Sequence, residues 1–251
     1  MLPASALYLS WTPLQGARMQ NQTADVTWQS EDVPVSTRFD DPYYSLENGL
    51  AETRHVFLAG NRLPERFGGS FRIAELGFGT GMNFLAAAQM WQAQGVCGQM
   101  RFTSFEAYPM ARADMFRALS VYRETDLPVD RLIDMWSPEG GVFEFAPDIQ
   151  LEVIIGDARN TVAQWQGHAD AWFLDGFSPA KNPELWSEAL LHDVASHTAP
   201  GGTFATYTAA GFVRRALGAA GFDVQRIAGY GRKRHMSCGV LRDPAQRATG
   251  W

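Results

Sequence analysis

The chain has 251 residues, two cysteines and a net charge of −6, with 46% hydrophobic and 19% charged residues. This is globular composition with enough apolar mass for one α/β domain, so disorder is excluded, and two cysteines exclude a disulfide framework or a cysteine zinc site. No stretch approaches the ~18 apolar residues of a membrane helix, and the first twenty residues lack the charged start and apolar run of a signal peptide, so a cytoplasmic location is expected.

Residues 1–30 are polar and carry few signals. Between 31 and 69, turn residues (Pro34, Asp40-Asp41-Pro42, Asn48-Gly49) surround one helix expected near 50–60. Residues 1–69 therefore read as an N-terminal extension or lid. A regular pattern begins at Phe71 and defines a core domain over 70–243, with a short tail over 244–251.

Seven strands are expected in that core: 71–76, 102–106, 151–155, 171–174, 203–208, 222–228 and 236–241. Helices are expected at 82–94, 109–123, 158–166, 184–198 and 212–220. Residues 124–148, with Pro128, Pro138, Gly140, Gly141 and Pro147, read as an irregular insertion. Strands alternating with helices predict a mostly parallel sheet, and the closing strand pair predicts an antiparallel edge. The fold class expected is a Rossmann-like α/β fold.

Ligands of open α/β sheets bind at the carboxyl ends of the strands, and the chemistry-bearing residues fall there in order. Glu75-Leu76-Gly77-Phe78-Gly79-Thr80-Gly81 ends the first strand. Its G-x-G-x-G spacing differs from the G-x-G-x-x-G that aims a helix at a pyrophosphate. It suits S-adenosylmethionine, which has no phosphate; Glu75 would face the amino group of its amino-acid tail. Glu106, ending the second strand, would accept from ribose hydroxyls. Asp157, with Ala158, ends the third; it suits an adenine amino group, or a helix N-cap, or both. Asp175 ends a wholly apolar strand and opens Gly176-Phe177-Ser178-Pro179-Ala180-Lys181-Asn182-Pro183. A carboxylate on that rim would orient an amine and help take its proton, and Phe177 could stack on a base.

The five histidines show no metal-ligand spacing, so no metal is expected. Residues 211–242 hold Arg214, Arg215, Arg226, Arg232, Lys233, Arg234 and Arg242 against one acid, Asp223. That segment is +6 on a remainder of −12, a patch placed to meet phosphate; the plainer reading is an exposed strand edge kept soluble by charge.

Phe39 to Ser45, Gly49 to Asn61, Glu75 to Leu85, Ala169 to Pro183 and Gly229 to Cys238 closely resemble the methyltransferase domain of the MnmC family. The resemblance covers roughly 30–242. It implies the methylation of 5-aminomethyl-2-thiouridine to 5-methylaminomethyl-2-thiouridine at the tRNA wobble position, with Asp175 beside the reacting amine. It also implies that Glu75, Gly77, Gly79, Gly81, Asn83, Glu106, Asp157 and Ala158 line the S-adenosylmethionine site. The substrate contacts would be Phe177, Lys181, Arg214, Arg232, Lys233 and Arg234, on an anticodon stem-loop. Many members continue into an FAD-dependent oxidoreductase that supplies the aminomethyl precursor; this sequence has no second glycine motif, so FAD is not expected in it. The alternatives are a methyltransferase acting on a small amine or another nucleic acid, a nicotinamide-dependent reductase, and a tRNA-binding module without chemistry.

Overall fold

The computed structural model describes residues 23–29, 33–44 and 48–243. Most of the 1–30 segment and the expected tail over 244–251 lie outside the described residues.

A small antiparallel sheet comes first: β1 (Val26–Gln29), β2 (Val33–Ser36) and β3 (Asp41–Pro42). The helix expected near 50–60 is built in three pieces: α1 (Gly49–Thr53), a π-helical turn (Arg54–Leu58) and a 3-10 turn (Ala59–Asn61). Asn48 starts it, its side chain accepting from the Ala51 N–H at 2.9 Å. The segment is packed into the core: Val56, Phe57 and Leu58 are buried there. The buried Asn61 side chain bonds the Phe57 and Trp172 carbonyls and the Thr203 hydroxyl.

The main sheet is built from β4 (Gly69–Leu76), β5 (Gly98–Glu106), β6 (Gly141–Ala146), β7 (Ile149–Ile155), β8 (Ala169–Leu174), β9 (Thr198–Thr206), β10 (Phe222–Ala228) and β11 (His235–Leu241). The helices are α2 (Met82–Gln94), α3 (Arg112–Ser120), α4 (Val129–Met135), α5 (Ala158–Gln164), α6 (Glu188–Ser196) and α7 (Gly211–Ala220). Strand order is β10-β11-β9-β8-β4-β5-β7-β6, with the five central strands from β9 to β7 parallel and both edges antiparallel.

Two expectations are corrected. The sheet has eight strands, not seven, and the 124–148 insertion is ordered structure that holds α4 and β6. Its prolines and glycines flank those elements instead of interrupting them: Pro128 precedes α4, and Gly140 and Gly141 turn into β6 with φ of 72° and 124°. The helix expected over 184–198 is a 3-10 turn (Pro183–Trp186) followed by α6.

Side chains alternate across each strand and so feed two cores. Phe71, Ile73, Phe102 and Phe173 face α2, α3 and α4 on one side. Ala74, Leu76, Phe105, Trp172 and Leu174 face α5, α6 and α7 on the other. With both faces of β4 and β8 apolar, their polar residues are pushed to the strand ends. Those ends meet where the chain reverses its direction of travel across the sheet, between β4 and β8, and this switch point is where open α/β sheets bind ligands.

Candidate active site

A cavity of about 1080 Å³ opens there. It exceeds the roughly 300–1,000 Å³ of a single small-molecule site, so it has room for more than one ligand. Its wall takes residues from the glycine turn, the ends of β5 and β8, the start of α5, the small N-terminal sheet, α1, and the turn between β10 and β11.

The glycine turn forms part of this wall. Gly77, Gly79 and Gly81 have φ of 82°, 53° and 77°, left-handed values that favour residues without a Cβ. A side chain on Gly81 would also meet Leu132 Cδ2 at 2.7 Å, because α4 packs directly beneath the turn. Phe78 completes that contact by stacking on Trp136 with ring centroids 4.9 Å apart. The insertion that holds α4 therefore braces the turn.

Glu106 is tied to the same turn. Its two oxygens accept from the Gly79 and Tyr108 N–H groups at 2.9 and 2.7 Å. Burial pushes its carboxyl above the usual range, and these main-chain donors pull it back. The main-chain N–H groups of Phe78 and Ala107 also lean on the carboxylate, which lines the cavity. Asp157 does what an N-cap does: it accepts from the Arg159 N–H at 2.9 Å at the start of α5 and pairs with the Arg159 guanidinium at 2.5 Å. That pairing holds its carboxyl below the usual range. Asp157 and Ala158 both line the cavity.

Glu75 stands one side chain back from the cavity. It is fully buried and absent from the wall. Its carboxylate accepts from Asn83 Nδ2 at 2.9 Å and from the Ser104 hydroxyl at 2.7 Å. Burial drives its carboxyl well above the usual range. Asn83, in the first turn of α2, is what the cavity meets instead.

Asp175 stands beside the glycine turn, its main-chain carbonyl oxygen 3.6 Å from where a Cβ on Gly77 would lie. Oδ1 accepts from the Gly176 N–H and Oδ2 from Asn83 Nδ2, both at 2.8 Å. Burial raises its carboxyl to about 6, opposed by these two donors. Around it stand Glu52 from α1, Lys233 from the β10–β11 turn, and Tyr207, whose hydroxyl donates to the Gly176 carbonyl at 2.8 Å. Lys233 donates to Glu52 at 2.8 Å and lies 4.2 Å over the Tyr207 ring. Glu52 and Thr53 lie in the 49–61 run that carries the resemblance but received no role from it, and Tyr207 lies in no motif; the packing of α1 against α2 and the end of β9 brings all three here.

Phe177 also lines the cavity, in an aromatic cluster. It stacks on Phe39 at 4.7 Å and meets the edge of Tyr43 at 5.1 Å. Lys181 reaches across to Asp40 and Asp41, at 3.1 and 3.7 Å, clasping the loop after β8 to the small sheet. Of the basic residues expected to meet phosphate, only Lys233 reaches the cavity wall. Arg232 and Arg234 are exposed on the same turn, and Arg214 is half-buried on α7, donating to the Ala209 carbonyl at 3.3 Å.

Arg159, Lys181 and Lys233 are thus each tied to a carboxylate, and carboxylates outnumber cations on the wall. A pyrophosphate would be repelled by such a wall, whereas a sulfonium nucleoside and a cationic amine fit it. Among the described residues no group of acids, histidines or cysteines could hold a metal ion, and no helix is long and apolar enough to cross a membrane.

Residues 130–242 match the family described as S-adenosyl-L-methionine-dependent methyltransferase. The chain is 42% identical over 243 residues to the tRNA 5-methylaminomethyl-2-thiouridine biosynthesis bifunctional protein MnmC of Chromobacterium violaceum, covering 93% of this chain and 36% of that protein. It is 44% identical over 237 residues to the protein of the same name in Methylobacillus flagellatus, covering 90% and 36%. The chain therefore spans about a third of the length of these relatives. The crystal structure of MNMC2 from Aquifex aeolicus shares the fold, with a TM-score of 0.69 and 24% identity over 90% of this chain and 73% of that one. Residues 130–242 are thus similar to S-adenosyl-L-methionine-dependent methyltransferases, and about nine-tenths of the chain is similar to a third of MnmC.

Proposed function

We propose that this chain methylates the primary amine of 5-aminomethyl-2-thiouridine at the wobble position of tRNA. The reading is carried by one observation: Asp175 lines the cavity, braced by two donors, immediately beside the glycine turn. It is supported by the names of the relatives, which concern the biosynthesis of the methylated nucleoside.

The cofactor is held by Gly77, Gly79 and Gly81 with Glu106, Asp157 and Ala158, while Glu75 acts through Asn83. When bound, S-adenosylmethionine supplies a methyl carbon on a sulfonium: the N–C bond forms as the C–S bond breaks, and the thioether leaves. The wobble amine arrives mostly as an ammonium and must lose a proton before it can attack. Asp175, ionised above about pH 6, accepts a hydrogen bond from that ammonium and takes the proton. The aromatic cluster of Phe39, Tyr43 and Phe177 encloses the base, and burial of the pair of reactants in line supplies most of the acceleration.

By the same reading, the N-terminal segment to residue 69 acts as a lid, and 70–243 is the catalytic unit. Lys181 keeps that lid docked. Arg214, Arg232, Lys233 and Arg234 face the anticodon stem-loop, and a cytoplasmic FAD-dependent oxidoreductase, fused or separate, supplies the aminomethyl precursor. The test is transfer of radiolabelled methyl from S-adenosylmethionine to tRNA carrying 5-aminomethyl-2-thiouridine. Label in that tRNA and none in unmodified tRNA is the expected result. Equal label in both, or label only in small amines, overturns it.

A further inference from the structure

We propose that Asn83 is the positioning residue of the acceptor site, aiming the Asp175 carboxylate into the cavity while Thr53 from α1 locks the Asn83 amide; this rests on the methyl-transfer reading above. Both N–H bonds of the amide are committed to the protein. Nδ2 donates to Glu75 Oε1 at 2.9 Å and to Asp175 Oδ2 at 2.8 Å, and Oδ1 accepts from Thr53 Oγ1 at 2.8 Å. With both N–H bonds used, Asn83 has no donor left for a cofactor. Its two donors therefore serve the protein as supports, and only the second lone pair of Oδ1 is left to face a ligand.

The orientation of the amide follows from its neighbours. Reversed, it would put an oxygen between two carboxylates and a donor against nothing but the Thr53 hydroxyl. The acceptor-only Asp175 carboxylate selects this orientation, and Thr53, buried at 5% exposure, then pins Oδ1 by donating to it. The support is rigid because Asn83 lies in the first turn of α2, which starts from the left-handed Gly81.

Asp175 needs this second donor. Gly176 N–H holds Oδ1 alone, and one bond leaves the carboxylate free to rotate about it. Asn83 on Oδ2 fixes the plane. It also separates two acids, since Glu75 on β4 lies on its far side. The other ionisable groups facing Asp175 are Glu52 on α1, Lys233 on the β10–β11 turn and Tyr207 after β9. Only Lys233 among them stabilises the ionised form, so removing the Asn83 donor leaves Asp175 harder to ionise.

The test uses Asn83→Leu, which keeps the branched shape and removes the donors, with Thr53→Val and Thr53→Ser as gentler variants. In wild type, methyl transfer to aminomethyl-bearing tRNA is the control for the reaction itself. Asn83→Leu is expected to lower kcat roughly 10- to 100-fold, the scale of a hydrogen bond to a charged group, with S-adenosylmethionine affinity unchanged by calorimetry. Its acid limb should move up by roughly one pH unit, and so should the ¹³C-carboxyl titration of Asp175 in protein without substrate. Thr53→Val should show a smaller loss of the same kind, and Thr53→Ser should restore wild-type values. If wild type transfers methyl but both Asn83→Leu and Thr53→Val keep its kcat and Asp175 titration, the proposal fails. It fails equally if Asn83→Leu loses cofactor affinity instead of kcat. Wild type without transfer sinks the reading it rests on, while the titration still reports on Asn83. Should Asn83→Leu not fold, Thr53→Val decides by the same readouts.

Discussion

The glycine turn and the Asp175 cluster, side by side at the tips of β4 and β8, are built from different materials. At the glycine turn, main-chain groups do the holding: Glu106 is fixed by the N–H groups of Gly79 and Tyr108, and Asp157 by that of Arg159. At Asp175, apart from the Gly176 N–H, side chains from distant segments do it: Asn83 from α2, Thr53 and Glu52 from α1, Lys233 from the β10–β11 turn. Bonds donated by main-chain N–H groups are rigid and tolerate most changes of side chain at the donor residue. A side-chain cluster can be broken one residue at a time. The glycine turn should therefore answer to glycine substitutions, and the Asp175 cluster to polar ones.

The sharpest way to break this contrast is Asp175→Asn. Turnover should fall about 10³-fold, within the usual range for a lost acid–base group, while cofactor binding by calorimetry stays within a few-fold. Near-normal turnover would remove Asp175 from the chemistry. The pH profile comes next. Because burial raises the Asp175 carboxyl to about 6, kcat should fall about tenfold per pH unit below 6 in wild type, and a stopped assay on Asp175→Asn should show no such limb. The sign for stability is opposite: the folded value lies above the ordinary 3.8, so the native state binds the extra proton and loses stability as pH rises from about 4 to 6. Asp175→Asn should accordingly melt no lower than wild type at pH 7.5; a clear loss in Tm would contradict the buried-acid picture.

At the glycine turn, Gly81→Ala should cost about 1–3 kcal/mol in chemical denaturation, from its positive φ of 77° and the 2.7 Å approach to Leu132. Cofactor affinity should fall with it, whereas in the Asp175-cluster variants it should not. Lys233→Met should weaken tRNA binding by less than tenfold and lower the slope of log affinity against log salt by about 1; an unchanged slope would take Lys233 off the phosphate. The smallest effect belongs to Lys181→Met. Its exposed pairs with Asp40 and Asp41 are worth about 0–1 kcal/mol, so Tm should barely move. A several-fold rise in KM for tRNA would locate the role of that clasp in substrate enclosure.

Much of this was legible beforehand, for a local reason. The strand–turn–helix units around Gly77–Gly81, Glu106 and Asp157 are each specified by residues a few positions apart. Periodicity, glycines and an acid at the strand end place them without knowledge of the rest. Legibility was poorer at 124–148, where prolines and glycines resemble a loop yet bound α4 and β6, because buried Leu132, Trp136 and Phe145 meet partners on other elements. Glu75 shows the same limit: its position in the motif marks it as a ligand contact, but packing seats Asn83 in front of it.

The sequence by itself determined the parallel α/β order, the glycine turn, the acids at the ends of β4, β5 and β8, and the acid that follows β7, since alternation of apolar residues forces polar ones to those ends. Only the tertiary structure decided which of them face the cavity, and that Thr53, Glu52, Tyr207 and Lys233 gather around Asp175. Those four are separated from it by long stretches of chain, and side chains so distant share a site only when burial of two apolar faces folds their segments onto one end of the sheet.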